Sequence, residues 1–187
     1  MTNYEASIKL SQDQINRAQS LGIMAHHFSV FRVRGQVKGL IIFFIKDLKD
    51  KIIGQFAFQQ AEICGISGYI SRRAYIIPAK SNRGYGTDFY MFARKYLKAI
   101  IFSDEKQTPA GIALWKSLGK RFDLKVLNTL SGEICPANAQ DIYTNIADNS
   151  ADYLLMLESQ KVSAFPEEKI EMFSILTPHA LFEEGDF

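Results

Sequence analysis

The run Arg83-Gly84-Tyr85-Gly86-Thr87-Asp88 lies between an apolar segment, 74–77, and a helical-looking segment, 89–97. A strand, a glycine turn and a helix start together present backbone N–H groups to an anion, and the helix dipole adds to the attraction. The chemistry would be the holding of a phosphate-bearing ligand. Glycine turns before helices also occur for reasons of geometry alone, so the run by itself leaves both readings open. Other reactive residue types are sparse. His26 and His27 titrate near neutrality but stand together before a strand, where histidines are commonly surface residues. No three residues have metal-ligand spacing, and no serine or cysteine stands in a nucleophile motif. Cys64 and Cys135 are distant and read as buried, reduced thiols.

Alternating periodicities supply the elements that must position the glycine run. Ser11 and Gln14 have the form of a capping box, and Ile15, Ala18 and Leu21 then predict a first helix over 11–21. Strands follow over 28–34, 39–45 and 52–58, the second continuously apolar as a buried strand would be. A further strand over 69–77 leads into the run. Tyr85, Phe89, Phe92, Ala93, Tyr96 and Leu97 then mark the buried face of a helix starting within it. A short strand over 99–102 precedes a helix over 109–118, which Thr108 caps, Pro109 opens and Gly119 ends. A strand over 122–127, a short helix over 137–146 and a strand over 153–158 complete a domain of residues 1–159. Residues 160–187, with Pro166, Pro178 and the acidic end Glu183-Glu184-Gly185-Asp186, read as an extension that wraps the domain or contacts a partner.

At 187 residues, with 47% apolar content, the chain can bury a full core. The apolar run 39–45 is far too short to span a bilayer, and residues 1–10 lack the order of a secretion signal, so a cytoplasmic protein is expected. The net charge of +2 hides an asymmetry. Residues 71–126 hold twelve basic and four acidic side chains, whereas 127–187 hold two basic and eleven acidic ones. The glycine run thus lies in a basic third, which favours an anionic ligand, either a nucleotide-like cofactor or nucleic acid. Arg72, Arg73, Lys80, Arg83, Arg94, Lys95, Lys98, Lys120 and Arg121 are the residues that would serve nucleic acid, although their elements point them in different directions.

Two separated stretches together resemble a known family. Arg83-Gly84-Tyr85-Gly86 with its helix, then a strand, then Gly111-Ile112-Ala113-Leu114-Trp115-Lys116-Ser117-Leu118-Gly119 with Phe122, looks like the core of the GNAT acyltransferases. By element order the resemblance covers about residues 28–127. It implies an α/β fold, with a mixed, mostly antiparallel central sheet flanked by helices. It also implies an N-acyltransferase that moves an acetyl group from acetyl-coenzyme A to an amine on a small molecule or protein. Arg83, Gly84, Tyr85, Gly86 and Thr87 would cradle the pyrophosphate. Ser103 and Asp104 would stand where this fold opens its cleft, with Asp104 orienting the amine or taking its proton, and Glu62 is the other carboxylate near the place of a family base.

Two positions depart from the family pattern. Asp88 stands at the third signature position, where the family has glycine or alanine. Pointed inward, it would compete for the donors a pyrophosphate needs; pointed outward, it is an ordinary first-turn acid. Trp115 stands where many members have a tyrosine that protonates the departing thiolate, and an indole N–H cannot act as that acid. With the extension, these departures support an alternative: a GNAT-like binding or assembly protein without the reaction. The segment 103–115 also resembles small GNAT-like proteins of bacteriophages, some of them virion components or modifiers of nucleic acid. A homo-oligomer or assembly contact through 160–187 is the matching expectation.

Overall fold

The computed structural model describes residues 10–24, 28–34, 37–137 and 152–158. The predicted helix over 137–146 and the extension over 160–187 lie outside them, apart from Ala137. A short helix α1 (Gln12–Asn16) opens the described chain, and both halves of its capping box form: Ser11 Oγ accepts the Gln14 N–H at 3.2 Å, and Gln14 Oε1 accepts the Ser11 N–H at 2.9 Å. The helix stops well short of residue 21. Ile15 and Ala18 pack against Val33, Leu40, Ile42, Phe44 and Ala57, whereas Leu21 joins the cluster on the opposite sheet face. Residue 21 therefore does not share the face of residues 15 and 18, and the chain after Ala18 is already an edge strand, bent at Gly22 with a φ of 110°.

That strand, β1 (Gln19–Met24), begins an antiparallel meander with β2 (Phe28–Arg34), β3 (Leu40–Asp47), β4 (Ile52–Ile63) and β5 (Ile66–Ile76). β3 buries residues of both faces, which accounts for its unbroken apolar sequence. A 3₁₀ turn (Pro78–Lys80) and the glycine run lead from β5 into α2 (Tyr85–Leu97), and β6 (Ile100–Phe102) then returns parallel to β5. α3 (Pro109–Gly119) follows, with Thr108 Oγ1 accepting the Gly111 N–H at 3.2 Å as the sequence expects. β7 (Leu124–Asn128), β8 (Ile134–Pro136) and β9 (Tyr153–Leu157) close the sheet in the order β1-β2-β3-β4-β5-β6-β9-β7-β8. All pairings are antiparallel except β5 with β6, so the architecture is an open, mixed and mostly antiparallel sheet with flanking helices.

α2 and α3 share one sheet face. Phe89 stacks on Phe56 with ring centroids 3.7 Å apart, Phe43 meets Phe89, Phe92 and Tyr96 edge to face, and Tyr90 meets Trp115 edge to face at 5.8 Å. Aromatic pairs in these geometries add about 0.5–1.5 kcal/mol each beyond their buried area, so this layer fixes α2 firmly on β3 and β4. On the other face Ile70, Phe102, Leu127, Leu154 and Met156 form a separate cluster. Cys64 and Cys135 are free, as expected, but exposed rather than buried. Cys64 occupies the tight β4–β5 turn with a φ of 50°, and Cys135 lies on the edge strand β8, so neither position faces the core.

Candidate functional site

β5 and β6 diverge. They pair at three positions, Gly68 with Ile100, Tyr69 with Ile101 and Ile70 with Phe102, and the pairing then ends. The close fit there requires glycine, because a Cβ on Gly68 would lie 2.6 Å from the Phe102 ring and 2.7 Å from the Ile100 carbonyl oxygen. Beyond Phe102 the chain turns to β9 instead: the Ser103 N–H donates to the Leu155 carbonyl at 2.8 Å, and Ser103 Oγ accepts the Leu155 N–H at 2.9 Å. β5 runs on through residues 71–76, and among the described residues its ladder there continues only on the β4 side. Ala74 and Tyr75 are exposed along this stretch. The ladder between the two parallel strands thus has a gap at their carboxyl ends, the side on which open sheets with parallel strands bind ligands.

A bulge marks the start of the gap. Ala57 pairs with Arg73 and Phe58 with Ser71, leaving Arg72 as an extra residue in β5. Tyr69 and Ile76 consequently lie in the same core cluster despite an odd separation, which strict alternation along a strand would forbid. Ser71 is turned under α2, where its hydroxyl bonds the Tyr90 hydroxyl in a short contact. Arg72 reaches Asp104, just past β6, with Nη1 donating to Oδ1 at 2.8 Å. The same oxygen accepts the Glu105 N–H at 3.0 Å. Burial raises the Asp104 carboxyl above its ordinary range, opposed by the Arg72 guanidinium. Burial also pushes the Tyr90 phenol far upward, so its proton stays in place.

The glycine run stands beyond the carboxyl end of β5. Gly84 is the N-cap of α2 with a φ of 84°, a conformation that favours glycine, and it supplies no side-chain acceptor to the first turn. The first internal bond of the helix is from the Asp88 N–H to the Gly84 carbonyl at 2.9 Å, so the N–H groups of Tyr85, Gly86 and Thr87 have no partner within α2. α3 packs closely beside this turn. A Cβ on Gly86 would come within 3.1 Å of Leu114, and Thr87 Oγ1 bonds Ser117 Oγ at 3.1 Å. The Asp88 carboxylate is turned to Arg121, whose Nη1 donates to Oδ1 at 3.1 Å. Asp88 thus enters the turn as half of a neutral pair, although its Oδ2 stays beside Gly84, 3.7 Å from where a Cβ there would lie, so the pair offsets the charge without removing the carboxylate from the turn. Arg83 is exposed and makes no ion pair among the described residues.

The residues singled out in the sequence divide accordingly. Gly84, Tyr85, Gly86 and Thr87 form the turn, with Arg83 just before it, and Asp104 lies at the end of the neighbouring parallel strand. Ser103 is fully buried and committed to Leu155. Glu62 is exposed on β4 opposite Ser67, near the far end of β5. Ser67 is five residues short of Arg72, roughly 16 Å at about 3.3 Å per residue, so Glu62 and Asp104 do not converge. His26 and His27 lie outside the described residues. Trp115 is 3% exposed within the core cluster. Several of the basic residues are dispersed in local contacts: Arg73 over Tyr75, Arg94 over Phe122, Lys80 on Asp47 and Arg121 on Asp88. The sequence reading missed the Ser71–Tyr90 bond, and a tyrosine one residue off the expected helix face was its only signal.

No protein-family model and no curated protein matches the chain. Among solved structures it is similar to the GCN5-related glucosamine N-acetyltransferase region of a fungal multi-domain GH3 beta-N-acetylglucosaminidase, with a TM-score of 0.38 and 13% identity over 51% of this chain and 14% of that one. It is also similar to a proposed GNAT-family acetyltransferase from Bacteroides thetaiotaomicron, with a TM-score of 0.40 and 14% identity over 72% of this chain and 67% of that one. A third is the ribosomal-protein-S18-alanine N-acetyltransferase from Escherichia coli, with a TM-score of 0.37 and 15% identity over 72% of this chain and 76% of that one. At such values none of them bears on substrate or mechanism here. No helix among the described residues is long and apolar enough to cross a membrane.

Proposed function

We propose that this chain binds an acyl-coenzyme A and transfers its acyl group to an amine. The observation that carries the reading is the end of the β5–β6 ladder next to a glycine-capped helix start, which leaves a strand edge and, beyond its carboxyl end, a set of helix N–H groups without helical partners. The residues fit such a ligand. The N–H groups of Tyr85, Gly86 and Thr87, with Arg83, suit a pyrophosphate. Beyond its ladder with β6, the edge of β5 at residues 73–76 offers peptide groups to an amide-bearing pantetheine arm, as a strand edge does to any extended chain. The ligand supplies an activated thioester, and the protein's own contribution is placement and proton handling.

In this reading Asp104 accepts a proton from the incoming ammonium, and burial, which raises its carboxyl, makes it a better base than a solvated aspartate. In the transfer the amine nitrogen bonds to the acyl carbon, the carbon–sulfur bond breaks, the thiolate leaves, and the second proton lost by the nitrogen passes to the thiolate or to solvent. A thiol titrates near 8.5, so the thiolate is a tolerable leaving group at neutral pH and Trp115 need not act as an acid. Direct transfer requires no covalent nucleophile, in keeping with a Ser103 hydroxyl committed to Leu155.

Thermal denaturation with acetyl-coenzyme A tests the binding step, since a ligand well above its dissociation constant must raise the midpoint. The expected result is a midpoint that rises with concentration and a smaller rise for Arg83→Gln. No shift at millimolar ligand would sink the reading. Release of free thiol in the presence of amines tests the transfer step. The buried Trp115 favours one other reading, a binding protein on this fold, and that reading expects stabilisation by acetyl-coenzyme A without thiol release with any amine.

A further inference from the structure

Tyr90 is completely buried, among Phe56, Phe58, Phe89 and Trp115. A phenol hydroxyl in such surroundings is costly unless bonded, and a phenylalanine would fill the same volume without that cost. Its hydroxyl bonds Ser71, which is itself 6% exposed and lies one residue before the extra residue of the β5 bulge. The bulge decides where the next side chain goes. In an unbulged strand, Arg72 would follow Ile70 onto the sheet face opposite α2 and α3. With the bulge it meets Asp104 at 2.8 Å.

We propose that Tyr90 is the positioning residue of this site: its hydroxyl, through Ser71, holds the β5 bulge in the register that turns Arg72 to Asp104. The inference rests on the proposed function only for the consequence in catalysis; the arrangement itself is a property of the free protein. Tyr90 does not touch the gap and is not a catalytic residue. The charged and titratable groups around Asp104 are Arg72 on β5, Glu105 on its own loop and Tyr90 on α2. Of these, Arg72 is the one whose departure would remove a favourable charge.

The test uses the full chain carrying Tyr90→Phe, which removes one oxygen and keeps the ring packing, and Ser71→Ala as a second variant. Carbon-detected NMR of the Asp104 carboxyl in the ligand-free protein is expected to show its titration midpoint moving upward in Tyr90→Phe, because Arg72 no longer holds it down. In the same variant, kcat/KM for the amine falls on the order of tenfold, because a carboxyl released by Arg72 is no longer held towards the amine, while the dissociation constant for acetyl-coenzyme A stays within about twofold. Ser71→Ala gives the same shift in Asp104, and the double variant adds nothing further, as expected when both act through one bond. An Asp104 titration unchanged in both single variants, with each still folded, overturns the proposal. That readout needs no acyl transfer, so a failure of the proposed activity is seen separately, as absence of stabilisation by acetyl-coenzyme A in the unmodified protein.

Discussion

Arg121→Gln isolates the role of Asp88 at the glycine turn. In the native protein the Asp88 carboxylate is paired with the Arg121 guanidinium at 3.1 Å, their side chains being 32% and 44% exposed. Removing the cation leaves a bare negative charge beside the N–H groups that would receive pyrophosphate. At about 6 Å and an effective dielectric near 20, two unit charges repel by roughly 3 kcal/mol. Because the carboxylate is about one-third exposed, solvent screening reduces this to about 1–2 kcal/mol. Affinity for acetyl-coenzyme A is therefore expected to fall about 5- to 30-fold. Asp88→Asn combined with Arg121→Gln is expected to recover most of the loss, since the exposed charge is then gone. Isothermal titration at low and high salt is the assay, and the difference between the single and double variants is expected to shrink with salt. The pair itself contributes at most about 1 kcal/mol to folding, so the midpoint of Arg121→Gln drops by no more than about 2–4 °C. A single variant that binds as the native protein does would refute the reasoning. So would a double variant as weak as the single.

Thr108→Ala removes the side-chain cap of α3 and is expected to cost about 1 kcal/mol, read by urea denaturation. Phe89→Ala empties a fully buried position stacked on Phe56 and is expected to cost about 3–5 kcal/mol in the same measurement. Gly68→Ala forces a methyl group against Phe102 and the Ile100 carbonyl, so it is expected to destabilise by about 1–3 kcal/mol and to weaken the β5–β6 pairing, seen as faster amide exchange in β6. The Asp104 carboxyl has its folded-state value raised, so the folded protein binds that proton more tightly than the unfolded chain. Its contribution to stability is thus fully present below the unfolded value of about 3.9 and lost as pH rises through the folded value, while the acid limb of kcat/KM for the amine lies above 3.9. A limb at or below that value would remove Asp104 from the proton-accepting role.

The parts legible in the sequence were those governed by local chemistry. The capping box at Ser11, the cap and proline opening α3, the start of α2 in the glycine run and the strand 28–34 all follow from neighbouring residues, and all are present. The first helix was overextended because Ile15, Ala18 and Leu21 fit a helical period equally well when the last of them belongs to an edge strand. β8 carries too few residues to show a period. The site was half legible. The glycine turn is contiguous in sequence, but the bonds that organise the rest join Ser71 to Tyr90, Arg72 to Asp104 and Asp88 to Arg121, across 19, 32 and 33 residues. A bulge leaves no mark on composition, so the side chain it re-aims could not be read ahead of the sheet register. Glu62 shows the same limit in reverse: near β5 in sequence, it lies on β4 opposite Ser67, towards the end of β5 away from Asp104.

Mapping amide chemical shifts on adding acetyl-coenzyme A bears most directly on the central claim, that the glycine turn and the β5 edge beyond its pairing with β6 form one ligand site. Saturable shifts are expected at Gly84, Tyr85, Gly86 and Thr87 together with Ala74, Tyr75 and Ile76, at one common dissociation constant. Shifts confined to other surfaces, or none at millimolar ligand, would contradict the account.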